Sequence, residues 1–195
     1  QAYNLTFDSS VACGAVSCGN YTALSQSYGD VASVVDVSFI DVNAPNDSLR
    51  YWNSGYNDLS GVAWANGGDA NSHARIEIKS LNGNAVTLNS MDFGAYSYAT
   101  RGTHIRVTTI GGGTQLFSYD GNVGLGYGLH NTFAPAVSAN GGLWIDWYNS
   151  AYNVGIDNVN FSMTAAVPEP ESYAMLLAGL GLIGTLSARR RGRRV

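Results

Sequence analysis

Short stretches in which apolar and polar residues alternate recur along the first 164 residues. The clearest one covers residues 73–79, where Ala74, Ile76 and Ile78 point to one side of an extended chain and the intervening polar residues to the other. Similar stretches are Asn4–Asp8, Val31–Val42, Leu49–Asn53, Ala85–Asn89, His104–Thr109, Gln115–Tyr119, Leu143–Tyr148 and Gly155–Met163. No helical period is sustained here, so only one turn of helix, within Ala12–Leu24, is expected. The pattern predicts half-buried β-strands.

Glycine and asparagine pairs separate these stretches. Turn-forming residues occur at Asn82-Gly83, Gly111–Gly113, Asp120–Asn122 and Asn140–Gly142. Many short strands joined by such turns are typical of sandwiches and barrels. The sequence therefore predicts an all-β fold, a jelly-roll-like two-sheet antiparallel sandwich, for residues 1–164.

Charge is distributed unevenly along the chain. Only 12% of the residues are charged, and five of the ten basic residues lie at the C-terminus. Residues 1–164 carry a net charge of −7. Such a surface repels phosphate backbones, so we expect no nucleic-acid partner.

Cys13 and Cys18 are the two cysteines of the chain, and we expect them to form a disulfide in an oxidising compartment. A metal or redox pair is the alternative, but a metal site needs more ligands and the spacing is not Cys-x-x-Cys. Gln1 is no initiator, and no basic segment with an apolar run follows it. We therefore expect that a signal peptide was removed or omitted.

The composition changes abruptly after Met163. A small-residue linker leads into Val167–Glu171, an apolar run over 173–188 and a final cluster of arginines. The cluster comprises Arg189, Arg190, Arg191, Arg193 and Arg194. As a helix the apolar run reaches about 24 Å, and snorkelling arginines can extend it towards the ~30 Å hydrocarbon core. Residues 165–195 thus predict a separate tail with a single transmembrane helix, its arginines cytoplasmic; an ordinary C-terminal anchor is the alternative.

The proline-flanked glutamate, the short apolar run and the terminal arginines, in this order, closely resemble the PEP-CTERM sorting signal. The resemblance implies a Gram-negative-type bacterium that makes exopolysaccharide and an exosortase that recognises Pro168, Glu169 and Pro170. It also implies an inner-membrane-anchored precursor that passes to the cell surface or extracellular matrix. More weakly, most of residues 30–163 resemble β-rich domains attached to such tails, whose activity is undefined.

Catalytic signatures are absent from the sequence. His73, His104 and His130 are scattered outside any nucleophile or metalloprotease motif, and Glu77 is the one glutamate of residues 1–164. We therefore expect no enzyme and no cofactor. A polysaccharide hydrolase that uses two aspartates is the alternative, and Asp92, Asp157 and Asn158 could instead hold Ca²⁺.

Aromatic residues are the stronger clue to function. Trp52, Tyr56 and Trp64 form one group and Trp144 and Tyr148 another, each interleaved with short polar residues. Planar rings suit the apolar face of a sugar, and nearby Asn53, Asn57, Asp58 or Asn149 could bind its hydroxyls. In Leu143–Tyr148, alternation puts Trp144 and Tyr148 beside Asp146, which indicates the solvent face. The alternative is that many of these rings fill the core.

These observations predict a noncatalytic surface or matrix protein that binds polysaccharide, associated with exopolysaccharide or biofilm, or that packs with its own kind. A hydrolase and a structural fibre or coat subunit are the alternatives.

Overall fold

The computed structural model describes residues 1–68, 70–125 and 128–164, in which the chain forms twelve β-strands and no helix. The segment after Ala12 forms hydrogen-bonded turns, such as the one closed by Thr22 N and Gly19 O at 3.0 Å. The strands are β1 Ala2–Leu5, β2 Val35–Asp41, β3 Arg50–Trp52, β4 Val62–Trp64, β5 His73–Ser80, β6 Ala85–Ala95, β7 Arg101–Thr109, β8 Gln115–Val123, β9 Asn131–Phe133, β10 Val137–Asn140, β11 Gly142–Tyr148 and β12 Val154–Thr164.

The strands form two sheets in which every pair is antiparallel. Sheet A has the order β10-β6-β12-β4-β3, with β1 also paired to β12 and β9 to β6. Sheet B has the order β2-β5-β11-β7-β8. The predicted all-β, jelly-roll-like sandwich is therefore confirmed. The predicted transmembrane helix lies outside the described residues, and within them no helix is long and apolar enough to cross a membrane.

The core lies between the two sheets. Ala74, Ile76 and Ile78 of β5 are fully buried, as their alternation predicts. From sheet B, Trp147 packs edge-on against Phe93 of sheet A, with ring centroids 5.7 Å apart. The strand alternation thus determines which face of each sheet remains outside.

The structure differs locally from the sequence prediction in three unpredicted strands and one expected turn. Strands β4, β9 and β10 are short and carry no clear alternation, so the sequence did not indicate them. Residues Asp120–Asn122 were expected to form a turn but lie inside β8, where Asp120 pairs with His104 of β7. Hydrogen bonds from His104 and Arg106 to Asp120 stabilise this extended pairing.

Cys13 and Cys18 form the predicted disulfide, with their Cα atoms 5.4 Å apart. Cys13 is buried in the core, and Cys18 packs against it. The disulfide therefore closes a small loop within the irregular segment after β1, and the packing of Cys13 in the core holds this loop against the sandwich.

Strand β12 changes its partner along one edge. Ile156 pairs with Ala63 of β4, whereas Val159 pairs with Leu5 of β1. Between these two ladders the register on β6 shifts after Asp157, and Asn158 has a φ of 49°. A bulge of this kind interrupts strand pairing and redirects side chains. It opens the sheet at Asp157 and Asn158.

Candidate functional site

A polar cleft of about 470 Å³ lies beside the partner change of β12. Its walls come from the segment after β1, the β3–β4 connection, the bulge of β12 and His130. We call this the polar cleft. Its lining residues are Thr6, Asp8, Ser9, Tyr51, Asn53, Asp58, Leu59, Ser60, His130, Asp157 and Asn158.

The backbone at the cleft wall is tightly constrained. Phe7 adopts a φ of 34°, which is uncommon for a residue with a side chain. Gly61 has a φ of 93°, and a Cβ on it would lie 2.4 Å from the carbonyl oxygen of Phe7. Only glycine permits this approach. The glycine therefore lets the segment after β1 lie directly against the β3–β4 connection, and these two segments form walls of the polar cleft.

Asp157 is the most perturbed acid of the polar cleft. Only 5% of the residue is exposed. Burial raises its pKa from 3.8 to about 7, the hydrogen bond from the Asn158 backbone N–H opposes this shift, and the charge of Asp92 adds to it. Asp92 is the residue opposite Asp157 in the register of β6. A carboxyl group that is protonated near neutral pH can donate a hydrogen bond.

Asp58 and His130 form a second ionisable pair at the polar cleft. Both the backbone N–H and Nδ1 of His130 lie 2.8 Å from Asp58 Oδ1. Partial burial would raise the pKa of Asp58, but the hydrogen bonds from His130 outweigh this and lower it. The polar cleft therefore holds two carboxyl groups whose environments move their pKa values in opposite directions.

The first predicted aromatic group lies next to the polar cleft, on the outer face of sheet A. Trp52 packs edge-on against Trp64, with centroids 6.0 Å apart, and against Tyr96 at 5.5 Å. We call the whole set the aromatic cluster, and it encloses a cavity of about 50 Å³. Its rings are those of Tyr21, Trp52, Tyr56, Trp64, Tyr96 and Tyr152. Leu59 packs in the same apolar group and also lines the polar cleft, so the two features adjoin.

Burial contradicts a direct stacking role for two predicted rings. Tyr56 is 3% exposed and Trp64 is 1% exposed. Tyr56 also donates its hydroxyl to the carbonyl of Tyr152 at 2.7 Å. Both rings are therefore structural parts of the aromatic cluster. Trp52 is half-buried, and Tyr21, which sequence reasoning missed, is the exposed ring.

The predicted polar partners divide between two roles. Asn53 and Asp58 line the polar cleft. Asn57 is buried, and its side chain accepts a hydrogen bond from Ala95 N and donates one to the carbonyl of Ala99. It therefore holds the connection in place. Asn149 lies outside the lining of the polar cleft, at the turn after β11.

Trp144 and Tyr148 lie away from these features, on the outer face of sheet B. Leu143, Ile145 and Trp147 point into the core, and the other two rings are half-buried on the opposite side. They line a shallow groove of about 200 Å³, which we call the sheet B groove. Its lining residues are His73, Arg75, Arg106, Thr108, Gly112, Trp144, Asp146 and Tyr148. Asp146 faces outward as expected, but His73 and Arg75, which pair with its carboxylate, cover it and leave 5% of the residue exposed.

The proposed calcium ligands do come together. Asp92 and Asp157 are register partners, and the Asn158 amide nitrogen donates to Asp92 Oδ2 at 2.9 Å. In the part of the chain that the structure describes, however, no group of three or more His, Cys, Asp or Glu side chains could hold a metal ion. The predicted Ca²⁺ site therefore finds no support there.

Residues 166–191 match the family model described as the PEP-CTERM protein-sorting motif. The chain thus carries this motif after a β-rich domain, and the motif implies an exported protein with a membrane-anchored precursor. No curated protein matches the sequence.

Several solved structures are similar in fold. One is a GH26-CBM35 β-(1,4)-mannanase of Podospora anserina, with 14% identity and a TM-score of 0.37, covering 70% of this chain and 29% of that one. Another is TmCBM61 in complex with β-1,4-galactotriose, with 13% identity and a TM-score of 0.33, covering 68% and 88%. A mutant of the family 29 carbohydrate-binding module CBM29-2 has 14% identity and a TM-score of 0.31, covering 66% and 91%. The chain spans about a third of the length of the first structures that it matches.

Proposed function

We propose that this chain, which carries a PEP-CTERM sorting motif at residues 166–191, is a noncatalytic surface or matrix protein that an exosortase sorts. Its sandwich binds polysaccharide, and the polar cleft is the main binding site. Association with exopolysaccharide or a biofilm matrix is part of this proposal.

The size and lining of the polar cleft carry the proposal. A volume of about 470 Å³ falls within the roughly 300–1,000 Å³ of most small-ligand sites. Asn53, Ser9 and Ser60 offer short groups that can both donate and accept hydrogen bonds. Such a lining is suited to a ligand rich in hydroxyl groups.

The charges of the polar cleft favour a neutral sugar over an acidic one. Asp8, Asp58 and Asp157 line it, whereas His130 is its one residue of basic type among the described lining. Carboxylates accept hydrogen bonds from hydroxyls but repel other carboxylates. The adjoining Trp52 and Tyr21 supply apolar ring surface at one end, which suits the C–H face of a pyranose.

Polysaccharide capture tests the proposal. The full chain is incubated with native exopolysaccharides and with a panel of neutral glycans, and binding is measured by affinity electrophoresis. Ser60 is exposed and lines the polar cleft, so the ring of Ser60→Tyr should obstruct part of it and weaken binding at least about tenfold. Ser54→Tyr, an exposed change outside the lining, is the matched control. Binding to none of these glycans, or equal loss in both variants, would contradict the proposal.

A hydrolase is the second candidate, because Asp157 and Asp58 line one cavity with pKa values moved in opposite directions. Such a separation is typical of an acid and a base or nucleophile in glycoside hydrolysis. Incubation of native polysaccharide with the wild-type chain and with Asp157→Asn separates the two candidates. Release of reducing ends by the wild type alone, with unchanged binding by the variant, would establish the enzyme.

A further inference from the structure

The outer face of sheet B is organised in cross-strand rows on β5, β11 and β7. His73, Tyr148 and His104 form one row, and Arg75, Asp146 and Arg106 form the next. The third row contains Glu77, Trp144 and Thr108. The rows thus place aromatic, ionic and hydroxyl side chains side by side in the sheet B groove. The groove and the polar cleft have no lining residue in common.

Arg75 is held in a fixed position at the centre of this face. Its Nε donates to Asp146 Oδ1 at 2.9 Å, and its guanidinium carbon lies 3.6 Å from the centroid of the Trp144 ring. His73 Nε2 lies 2.6 Å from the same carboxylate oxygen. Stacking and ion pairing together restrict the rotamer of Arg75, so little conformational entropy remains to be lost on binding.

The remaining donors of Arg75 are unused. Neither Nη1 nor Nη2 of Arg75 makes a hydrogen bond to any residue that the structure describes. Arg106 differs, because its Nη1 donates to the carbonyls of Ile105 and Tyr119 and its Nη2 to Asp120. A planar guanidinium with free terminal N–H groups matches a carboxylate in a two-pronged contact. Arg75 therefore offers two unused terminal donors on this face.

Thr108 provides a second unpaired group. Its Oγ1 is buried and has no hydrogen-bond partner within the described residues, although Thr108 lines the groove. Thr108 stands opposite Trp144 in the register, and Arg75 covers the same ring. A buried hydroxyl without a partner is unfavourable. Because Oγ1 is shielded from solvent, the Thr108 side chain must rotate before it can bond to a ligand hydroxyl.

The polar cleft and the sheet B groove differ in the charged residues that line them. Arg75, Lys79 and Arg106 point outward from sheet B. The acids on the same face are Asp36, Glu77, Asp120 and Asp146, so the face as a whole is not basic. The described lining of the sheet B groove contains two arginines and one aspartate, whereas that of the polar cleft contains three aspartates and no arginine. An acidic sugar is therefore disfavoured in the polar cleft, whereas in the groove its carboxylate can pair with the free terminal donors of Arg75.

We propose that the sheet B groove is a second binding site, which takes a uronate residue of an acidic polysaccharide, with Arg75 binding its carboxylate and Thr108 a hydroxyl. This inference rests on the proposed polysaccharide-binding function and names the ligand class of a separate face. A volume of about 200 Å³ is below that of most small-ligand sites and suits one sugar residue of a longer chain.

The probe is polygalacturonate, compared with the same polymer after full methyl esterification, with binding to the full chain measured by titration calorimetry at about 0.15 M salt. Esterification removes the charge and keeps the sugar, and it should weaken binding about tenfold or more. Arg75→Lys keeps the charge but loses the planar fork, and the same loss is expected. Lys79→Gln removes one charge from the same face of β5 outside the groove, and it should change affinity less than about twofold.

Thr108→Val is nearly isosteric and keeps Arg75 intact, so it tests the site even if Arg75→Lys disturbs folding. It should weaken polygalacturonate binding about three- to tenfold. Equal affinity for the free and esterified polymers would overturn the proposal. Equal loss in Arg75→Lys and Lys79→Gln, or equally tight binding of polyglutamate, would overturn it in favour of unspecific charge attraction. If neutral glycans bind and polygalacturonate does not, this site fails while the proposed function stands; binding of neither refutes both.

Discussion

Asp157 of β12 and Asp92 of β6 are direct partners in the register of sheet A, although both are acids. Their side chains leave the sheet on its outer face, because the preceding Ile156 points into the core. Asn158 and Thr132 donate hydrogen bonds to Asp92, at 2.9 Å and 2.6 Å, and none of these contacts neutralises Asp157. Burial, with the charge of Asp92 adding to it, therefore raises the pKa of Asp157 and makes its protonation favourable in the folded state.

The first prediction is that Asp157 makes stability fall as pH rises. Its pKa is about 7 when folded and about 3.8 when unfolded, so this contribution is fully present below pH 3.8 and is lost as pH rises to about 7. Asp157→Asn removes the titration. The free energy of unfolding of the variant, relative to wild type, should rise between pH 4 and 7 by on the order of a few kcal/mol and then level off. Urea unfolding at several pH values measures it.

Asp8→Asn is the contrasting control. Hydrogen bonds from the backbone and hydroxyl of Ser10 lower the pKa of Asp8, so the sign is reversed. Its contribution is present above the unfolded pKa and is lost as pH falls through the lower folded value. A difference between Asp157→Asn and wild type that is independent of pH would show that Asp157 is ionised like an exposed aspartate.

Alternation was sufficient to predict the outer rings of sheet B but not their environment. A period of two places Trp144 and Tyr148 opposite Leu143, Ile145 and Trp147, as the structure shows. The sequence could not show that Arg75 covers the ring of Trp144, because this contact depends on the pairing of β11 with β5. Neighbouring strands in space, which are distant in sequence, decide such contacts.

The polar cleft was only partly predictable, for the same reason. Asn53 and Asp58 were candidates because they lie near aromatic residues in the sequence. Asp8 and Ser9 join them only because β1 and β4 share one edge of β12. The glycines at both ends of residues 55–61 could have indicated an irregular connection between β3 and β4 that packs over the sheet. Tyr56 and Trp64 are buried there, although the sequence indicated both as candidate sugar-binding rings.

The second prediction concerns the disulfide. Cys13 and Cys18 close a loop of sequence separation five, and a loop of this size stabilises by about 2 kcal/mol in the chain-entropy model. The double variant Cys13→Ala/Cys18→Ala should lower the melting temperature by about 4–8 °C. Calorimetry of the wild type with and without reductant, beside the variant, provides the control. A variant that melts with the oxidised wild type would show that the bridge adds no stability.

The third prediction tests the packing of the aromatic cluster on sheet A. A Cβ on Gly94 would lie 2.3 Å from the carbonyl oxygen of Tyr56, so Gly94→Ala must displace the connection that covers the sheet. We expect a loss of about 1–3 kcal/mol and a changed near-ultraviolet circular dichroism signal. Gly102→Ala is the matched control, because its nearest contact, Asn122 Oδ1 at 3.5 Å, is ordinary. Equal stability of both variants would contradict the close approach of Tyr56 to Gly94.

The fourth prediction concerns the tail. Pro168 and Pro170 flank Glu169, and prolines remove backbone donors and favour an extended strip that an enzyme can bind. If an exosortase sorts the protein, intact mass spectrometry of material from the host surface and medium should give a C-terminus near Pro168–Pro170, with or without added glycan mass. Glu169→Ala should retain residues up to Val195, whereas Glu171→Ala, just outside the motif, should be processed normally. A wild-type chain that keeps Val195 at the surface would instead establish a plain membrane anchor.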